Sequence, residues 1–361
     1  MTSIGMLGCG GSGNAEATPP ATPGRAGERW LMPDEAAAHK RTWMTFGASA
    51  SIWGARLAPV AQNNLGLIAR TIAAFEPVTM LARQDEMEIA RARCGPGVEL
   101  LASALDDSWT RDIGPVFVKG SGGERAAVDF NFNGWGGRQT HALDRKVAAR
   151  IVKVAGARLL NTSLVLEGGG IEVDGKGTAI ITESCTLNDN RNPGVSRSEF
   201  EAQFKALLGV EKVIWLPGIR GRDITDGHTD FYARFTEPGV VVAHLDTDPA
   251  SYDHAVTKRH LEILRSAADA SGRRLEVVVL EAPTQVRLQY ESDSFAAGYV
   301  NFYVCNGAVI APQFGDARAD DNARQALRDL FPGREVVQLN IDGIAAGGGG
   351  IHCVTQQEPA L

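Results

Sequence analysis

The 361-residue chain is short of several features. It has five cysteines, at positions 9, 94, 185, 305 and 353, and no C-x-x-C pair. An odd count without paired spacing argues against a disulfide scaffold and a cysteine-rich zinc site, and leaves at least one thiol free. No run of 18 apolar residues occurs, so no membrane-spanning helix is expected. Positive charge is not in excess: Lys and Arg number 36 against 43 Asp and Glu, a net charge of −7. Bulk electrostatics therefore give no support to a nucleic-acid partner. From Trp30 onward there is also no linker long enough to divide the chain.

What is present fits a soluble globular protein, with 44% hydrophobic and 22% charged residues. The length allows two domains or one large one. Residues 1–29 read differently from the rest. The tract GGSGNAEATPPATPGRAGE has no hydrophobic anchor and is expected to be a flexible tail ahead of one catalytic domain over 30–361. Met6-Leu7-Gly8-Cys9-Gly10 is similar to a lipoprotein cleavage box, but no Lys or Arg precedes it and its apolar stretch is short. The expected location is cytoplasmic. An exported or lipid-anchored protein is the alternative, if translation starts upstream.

Apolar spacing predicts helices over 57–75, 84–93, 141–155, 196–208, 251–270 and 319–330. Ser196 with Glu199 forms a capping-box pattern. Most of these helices are followed by a short strand-like run such as KVIWLP or EVVQLNI, and further runs such as TAIITES and AVIAPQF precede them. The last four helix centres are separated by roughly 55–65 residues, a period at which repeat architectures are considered. The order strands, helix, strand suits about five mixed α/β units around a centre better than one linear sheet. A ligand at such a centre would be met by loops from several units.

Four segments carry groups suited to chemistry. WTRDIGP places Asp112 at a turn, and LVLEGGGIEV ends an apolar strand on Glu167 before three glycines. DGHTD, if extended, points His228 and Asp230 to one face. GGGGIHCVTQQ reaches Cys353 through side-chain-free backbone, at a cost in conformational entropy. Each has an ordinary reading: an ion pair or cap, a hairpin bulge, a satisfied core histidine, a buried thiol. Cys185 and Cys305 lie in strand-like runs and read as core; NDNRNPG, from Asn188, reads as a turn. Together the segments supply a nucleophile, a proton carrier and three carboxylates. A Cys–His pair alone suggests acyl transfer, but three carboxylates would repel an oxyanion. They suit a guanidinium, whose planar fork of donors carboxylates accept bidentately and whose central carbon stays open to attack. That constellation is a deiminase's. A zinc site of His228, Asp230 and Cys353 has suitable ligand types but no local spacing signature.

The motifs DDSWTRDIGPVF (from Asp106), DFNFNGWGG (from Asp129), LEGGGIEVDGKGT (from Leu166), LNDNRNPG (from Leu187), DGHTD (from Asp226), YVNFYVCNGAVIAPQFGD (from Tyr299) and GGGIHCVTQQ (from Gly348) occur in order. With them the chain, from about Trp30 to Pro359, resembles the agmatine deiminase family. That family is grouped with the bacterial peptidyl-arginine deiminases in the guanidino-group-modifying superfamily. The resemblance implies a five-bladed α/β propeller with pseudo-fivefold repeats. It also implies Cys353 as nucleophile and His228 as general acid/base. Asp112, Glu167 and Asp230 would be guanidinium-binding or catalytic carboxylates, and Trp109 a pocket aromatic. No cofactor and no metal are implied. The implied partner is a small cationic guanidine, agmatine, hydrolysed to N-carbamoylputrescine and ammonia; a homo-oligomer is compatible. Two departures bear on the substrate. FYARF follows DGHTD where an Asn and paired cysteines are usual, and WMTFGASASIWG replaces a Trp-Pro segment. Phe231, Arg234 and Trp53 are thus candidates for reshaping the pocket. Arg234 is a candidate substrate-binding cation that would favour free or peptidyl arginine and give citrulline. An amidinotransferase and a non-catalytic guanidine-binding propeller are more distant alternatives.

Overall fold

The computed structural model describes residues 28–290 and 294–361. The expected tail, with Cys9, lies outside these residues except for Glu28 and Arg29. The described chain is a mixed α/β fold of five separate sheets. Three share one plan. Ala233–Glu237 pairs antiparallel with Val240–Leu245, which pairs parallel with Glu276–Glu281 after the crossover helix His254–Ser266. Glu172–Val173, Thr178–Thr182 and Lys212–Leu216 repeat this around helix Arg197–Leu208. Tyr303–Cys305, Ala308–Gln313 and Glu335–Asn340 repeat it around helix Ala317–Leu330. A further sheet orders Val116–Gly120, Arg125–Asp129 and Arg158–Asn161 in the same way and adds Trp30–Leu31 at its edge. The last joins the two ends of the chain: Gln356–Pro359 lies antiparallel to His39–Phe46, followed by parallel Val78–Ala82 and Val98–Ala102.

Local sequence accounts for these elements. A parallel strand covered on both faces reads as an unbroken apolar run, and the buried core of Ala308–Gln313, AVIAP, is one. Helix Arg197–Leu208 buries Phe200, Phe204 and Leu208 at four-residue steps. It starts with the expected capping box between Ser196 and Glu199, and Gly209 ends it in the left-handed conformation. Helix Ala317–Leu330 buries Ala319, Ala323 and Leu327 and is capped by Asp316. No helix among the described residues is long and apolar enough to cross a membrane.

Several expectations on local structure need correction. The helix expected over 57–75 starts at Ala50, because a turn over 50–53 is joined to it through Gly54 at φ 73°. LVLEGGGIEV is a strand only at Glu172–Val173; its three glycines form a 3₁₀ turn instead. DGHTD is not extended throughout, since Thr229–Phe231 is a 3₁₀ turn. Asp112 sits in a one-turn helix, Thr110–Ile113.

One regularity positions everything that follows. Each sheet has a strand that is antiparallel to its neighbour and is entered from a short irregular segment. Asp112 lies just before Val116–Gly120, Glu167 before Glu172–Val173, and His228 and Asp230 before Ala233–Glu237. Asn301 lies just before Tyr303–Cys305, and Cys353 before Gln356–Pro359. Five sheets thus offer five equivalent segments.

Candidate active site

Those five segments converge. A Cβ on Gly169 would lie 2.5 Å from His228 Nδ1, 2.9 Å from Asp112 Oδ1 and 3.1 Å from Asp230 Oδ2. The three polar atoms surround a point that only a glycine leaves open. Cys353 Sγ is 3.6 Å from Asp230 Oδ2, and Asn301 Nδ2 donates to that sulfur at 3.4 Å. Cys353, His228 and Asp112 all line one cavity of about 260 Å³.

The glycines before Cys353 serve close packing. A Cβ on Gly349 would fall 2.1 Å from the Trp109 ring, one on Gly347 2.3 Å from Trp53, and one on Gly350 2.2 Å from Asn301 Oδ1. Trp53 and Trp109 stack with centroids 5.4 Å apart and line the same cavity. Trp53 is oriented by its Nε1–H, which donates to Asp107 Oδ1 at 2.6 Å.

The three carboxylates have different surroundings. Asp112 Oδ2 accepts from Trp135 Nε1 at 2.9 Å and Oδ1 from the Gly169 amide at 3.1 Å. Burial, with Asp230 and Glu167 nearby, pushes its pKa up to about 6. Asp230 is opposed by burial, yet His352 and His228 hold its carboxyl below the ordinary value. Asp230 Oδ1 is buried and has no hydrogen-bond partner among the described residues. Such a group is costly unless something pairs with it. Glu167 is fully engaged. It takes Arg191 Nε on both oxygens at 2.9 Å, His228 Nε2 at 3.1 Å and the Cys185 thiol at 3.5 Å. It lies behind His228 and does not line the cavity. Of the three carboxylates expected to face a guanidinium, Asp112 lines the cavity, Asp230 lies beside the Cys353 sulfur, and Glu167 is set back behind His228.

Burial disfavours a charged His228, but Asp112 and the hydrogen-bonded Glu167 and Cys185 overcome it and raise its pKa well above normal. The Cys353 thiol is raised well above its usual value by burial, then by Asp230 and Asp112. Without a cation beside it, the sulfur stays protonated. Oxygen, sulfur and nitrogen of Glu167, Cys185 and His228 lie within 4.8 Å of one another, a spacing that a metal ion could bridge. There, however, Arg191 already supplies the positive charge, and it also pairs with Asp226 at 2.8 Å.

Arg234 does not reach the cavity, which corrects its assignment to substrate binding. It is fully buried, with Glu172 at 2.7 Å, Glu35 at 2.9 Å and the Phe302 carbonyl at 2.9 Å. Among the described residues that line the cavity, none is Lys or Arg, while Phe231, Trp53 and Trp109 are there. Sequence reasoning missed Asn301, Arg191 and the Cys185 contact. NDNRNPG, read as a turn, is one, yet it delivers Arg191 to Glu167. The signal for Asn301 was its place in YVNFYV, just ahead of a strand like the other four groups.

Gly169→Ala should cost activity more than stability. The added methyl must displace His228 or a carboxylate, and a misplacement of about 1 Å at a reacting group costs about 10²-fold. kcat/KM with an unshifted melting curve checks this; full activity would refute the crowding.

The chain is similar to known proteins along nearly all of its described residues. The sequence profile of the Porphyromonas-type peptidyl-arginine deiminase family matches residues 31–359. A protein of Streptomyces coelicolor is 45% identical over 337 residues, covering 91% of this chain and 98% of that one. The agmatine deiminase of Medicago truncatula is 39% identical, covering 91% and 96%. The solved structure of the Enterococcus faecalis agmatine deiminase superposes with a TM-score of 0.86 at 32% identity, covering 91% of this chain and 96% of its own. A family match over nearly all of the described fold, with relatives this similar along their whole length, places the chain in the Porphyromonas-type peptidyl-arginine deiminase family.

Proposed function

We propose that the chain is an agmatine deiminase, hydrolysing the guanidinium of agmatine to N-carbamoylputrescine and ammonia. The observation that carries this is the pairing of Asp112 with Asp230, whose Oδ1 is buried and unpartnered. Asp230 Oδ2 is also 3.6 Å from Cys353 Sγ. A planar cation beside the two carboxylates meets their negative charge and presents its carbon to the sulfur. It also brings the positive charge that favours the thiolate.

As the cation binds, the thiol gives up its proton to water, and the thiolate attacks the guanidinium carbon to give a tetrahedral adduct. His228 delivers a proton to one nitrogen, the C–N bond breaks, and ammonia leaves an S-alkylthiouronium on Cys353. Water, deprotonated by His228, attacks that carbon; the C–S bond breaks and the thiolate returns. The starting imidazolium suits the first proton transfer, and the neutral ring left behind suits the second. Glu167 and Arg191 hold His228 in place without touching substrate.

Agmatine is favoured over arginine because the cavity wall, as described, offers no cation to an α-carboxylate, and Arg234 is committed elsewhere. Ammonia release from agmatine, arginine and arginyl peptides tests the assignment. The expected order places agmatine first in kcat/KM, and a higher value for arginine would reverse it. The five like-patterned sheets support a five-bladed α/β propeller spanning 30–361 as one catalytic unit. The five entering segments would then meet at its axis.

A further inference from the structure

His352 precedes the nucleophile and is 2% exposed. The mechanism above gives it no step. Its ring nonetheless bridges two acids: Nδ1 is 2.8 Å from Asp230 Oδ2, and Nε2 is 2.8 Å from Glu35 Oε2. Glu35 is in turn fixed by the Val304 amide at 2.8 Å, Arg234 at 2.9 Å and Arg111 at 3.1 Å. Arg234 is anchored to Glu172 at 2.7 Å, and Arg111 donates to Gln357 Oε1 at 2.7 Å. A buried file of acids, Arg234 and the His352 ring thus runs from Glu172 to Asp230 and ends at the carboxylate beside the sulfur. The His352 amide also donates to Asn301 Oδ1 at 3.0 Å, and Asn301 contacts the sulfur.

A carboxylate on a short side chain can swing about its last bond. Asp230 has one oxygen tied to His352 and the other without a partner. The tied oxygen, Oδ2, is also the one 3.6 Å from Cys353 Sγ, so the ring that holds it sets where the carboxylate stands beside the sulfur. We propose that His352 is a positioning residue, which holds Asp230 Oδ2 between the Glu35 file and the Cys353 sulfur and so fixes the carboxylate at the reacting centre. This rests on the deiminase reading of the site and assigns a task within it. It also explains what Arg234 does: it is the far anchor of the file, acting on substrate only through Glu35, His352 and Asp230.

The two ring contacts can be kept one at a time. His352→Asn places an amide near the Nδ1 position, able to hold Asp230. His352→Gln reaches toward the Nε2 position and Glu35 but releases Asp230. Agmatine kinetics are measured for both, with Asp230 intact and with Asp230→Asn, alongside melting curves. We expect His352→Asn to stay within about tenfold of wild-type kcat/KM. His352→Gln should lose about 10²-fold or more, with KM raised. In the Asp230→Asn background the two should differ by less than about threefold, since the group they position no longer carries charge. Equal losses for Asn and Gln, or a gap between them that survives Asp230→Asn, would overturn the proposal. Should His352→Gln fail to fold, a folded His352→Asn with a loss above about 10²-fold would overturn it as well. Wild type that releases no ammonia from agmatine would instead sink the proposed activity. The same variants are then compared by calorimetric binding of guanidinium chloride. Weaker binding for Gln than for Asn supports the positioning role, and equal binding rejects it.

Discussion

Replacing Cys353 with serine should abolish ammonia release from agmatine and leave the fold intact. The sulfur bonds the Asp230 carboxylate and the Asn301 amide, groups that suit a hydroxyl equally well. The change removes a polarisable nucleophile and leaves an alcohol whose proton is far harder to remove than a thiol's. By analogy with removing the nucleophile of other covalent hydrolases, the loss should be at least about 10⁴-fold in kcat. A melting curve like that of wild type separates lost chemistry from lost structure. Retained turnover would end the covalent reading. A sharper form of the test uses charge. Burial, Asp230 and Asp112 keep the thiol protonated in the free enzyme. Neutral iodoacetamide should therefore label Cys353 slowly, while a cationic haloacetamidine, which fills the carboxylate pair, should label it fast. Cys94, Cys185 and Cys305 are buried and should stay unmodified.

The second large effect separates the carboxylates that Glu167 and its neighbours make look alike in sequence. Asp112→Asn and Asp230→Asn each remove a charge facing the guanidinium and should cost about 2–5 kcal/mol of transition-state stabilisation, as for a truncated buried charge pair. Glu167→Gln should act differently. Glu167 supports the imidazolium of His228, so neutralising it lowers that pKa. If the first half-reaction needs imidazolium, activity falls as pH rises through this pKa. The basic limb of the kcat/KM profile should therefore move to lower pH in Glu167→Gln. Arg191 would lose its partner too and push the same way. An unmoved basic limb, with KM raised instead, would return Glu167 to the substrate's side of His228.

Much of this site was legible because its members are motif residues of unusual chemistry: a cysteine behind four glycines, a histidine next to a second acid. What chain order could not convey was depth. Glu167 and Asp112 both read as acids near turns; only packing shows one with every oxygen engaged and the other facing a cavity. Arg234 failed for the same reason. A cation two residues into a strand was read as a pocket group, but its guanidinium points to Glu172 and Glu35, which come from distant segments. The helices were found where apolar spacing was regular. Their starts were missed where a left-handed glycine joined two pieces, as at Gly54. The strands His39–Phe46 and Gln356–Pro359 escaped notice because HKRTWMTF and QQEP are polar for strands. They pair with each other, His39–Phe46 also with Val78–Ala82, and Glu358 is matched inside by Trp43 Nε1, Lys40 and Arg125.

That pairing has a kinetic side. Trp43 and Glu358 are 315 positions apart, and the strand they close begins three residues after the nucleophile. Chain entropy makes such a contact costly to nucleate, about 2–3 kcal/mol beyond a roughly 20-residue hairpin on loop-length scaling. Contacts of such high order come late in folding. The four remaining sheets can each collapse from neighbouring sequence, but none of them contains the sulfur. Catalytic power in this protein is therefore a property of the finished fold and of no partly folded stage, so a guanidine meets either a complete enzyme or an inert chain.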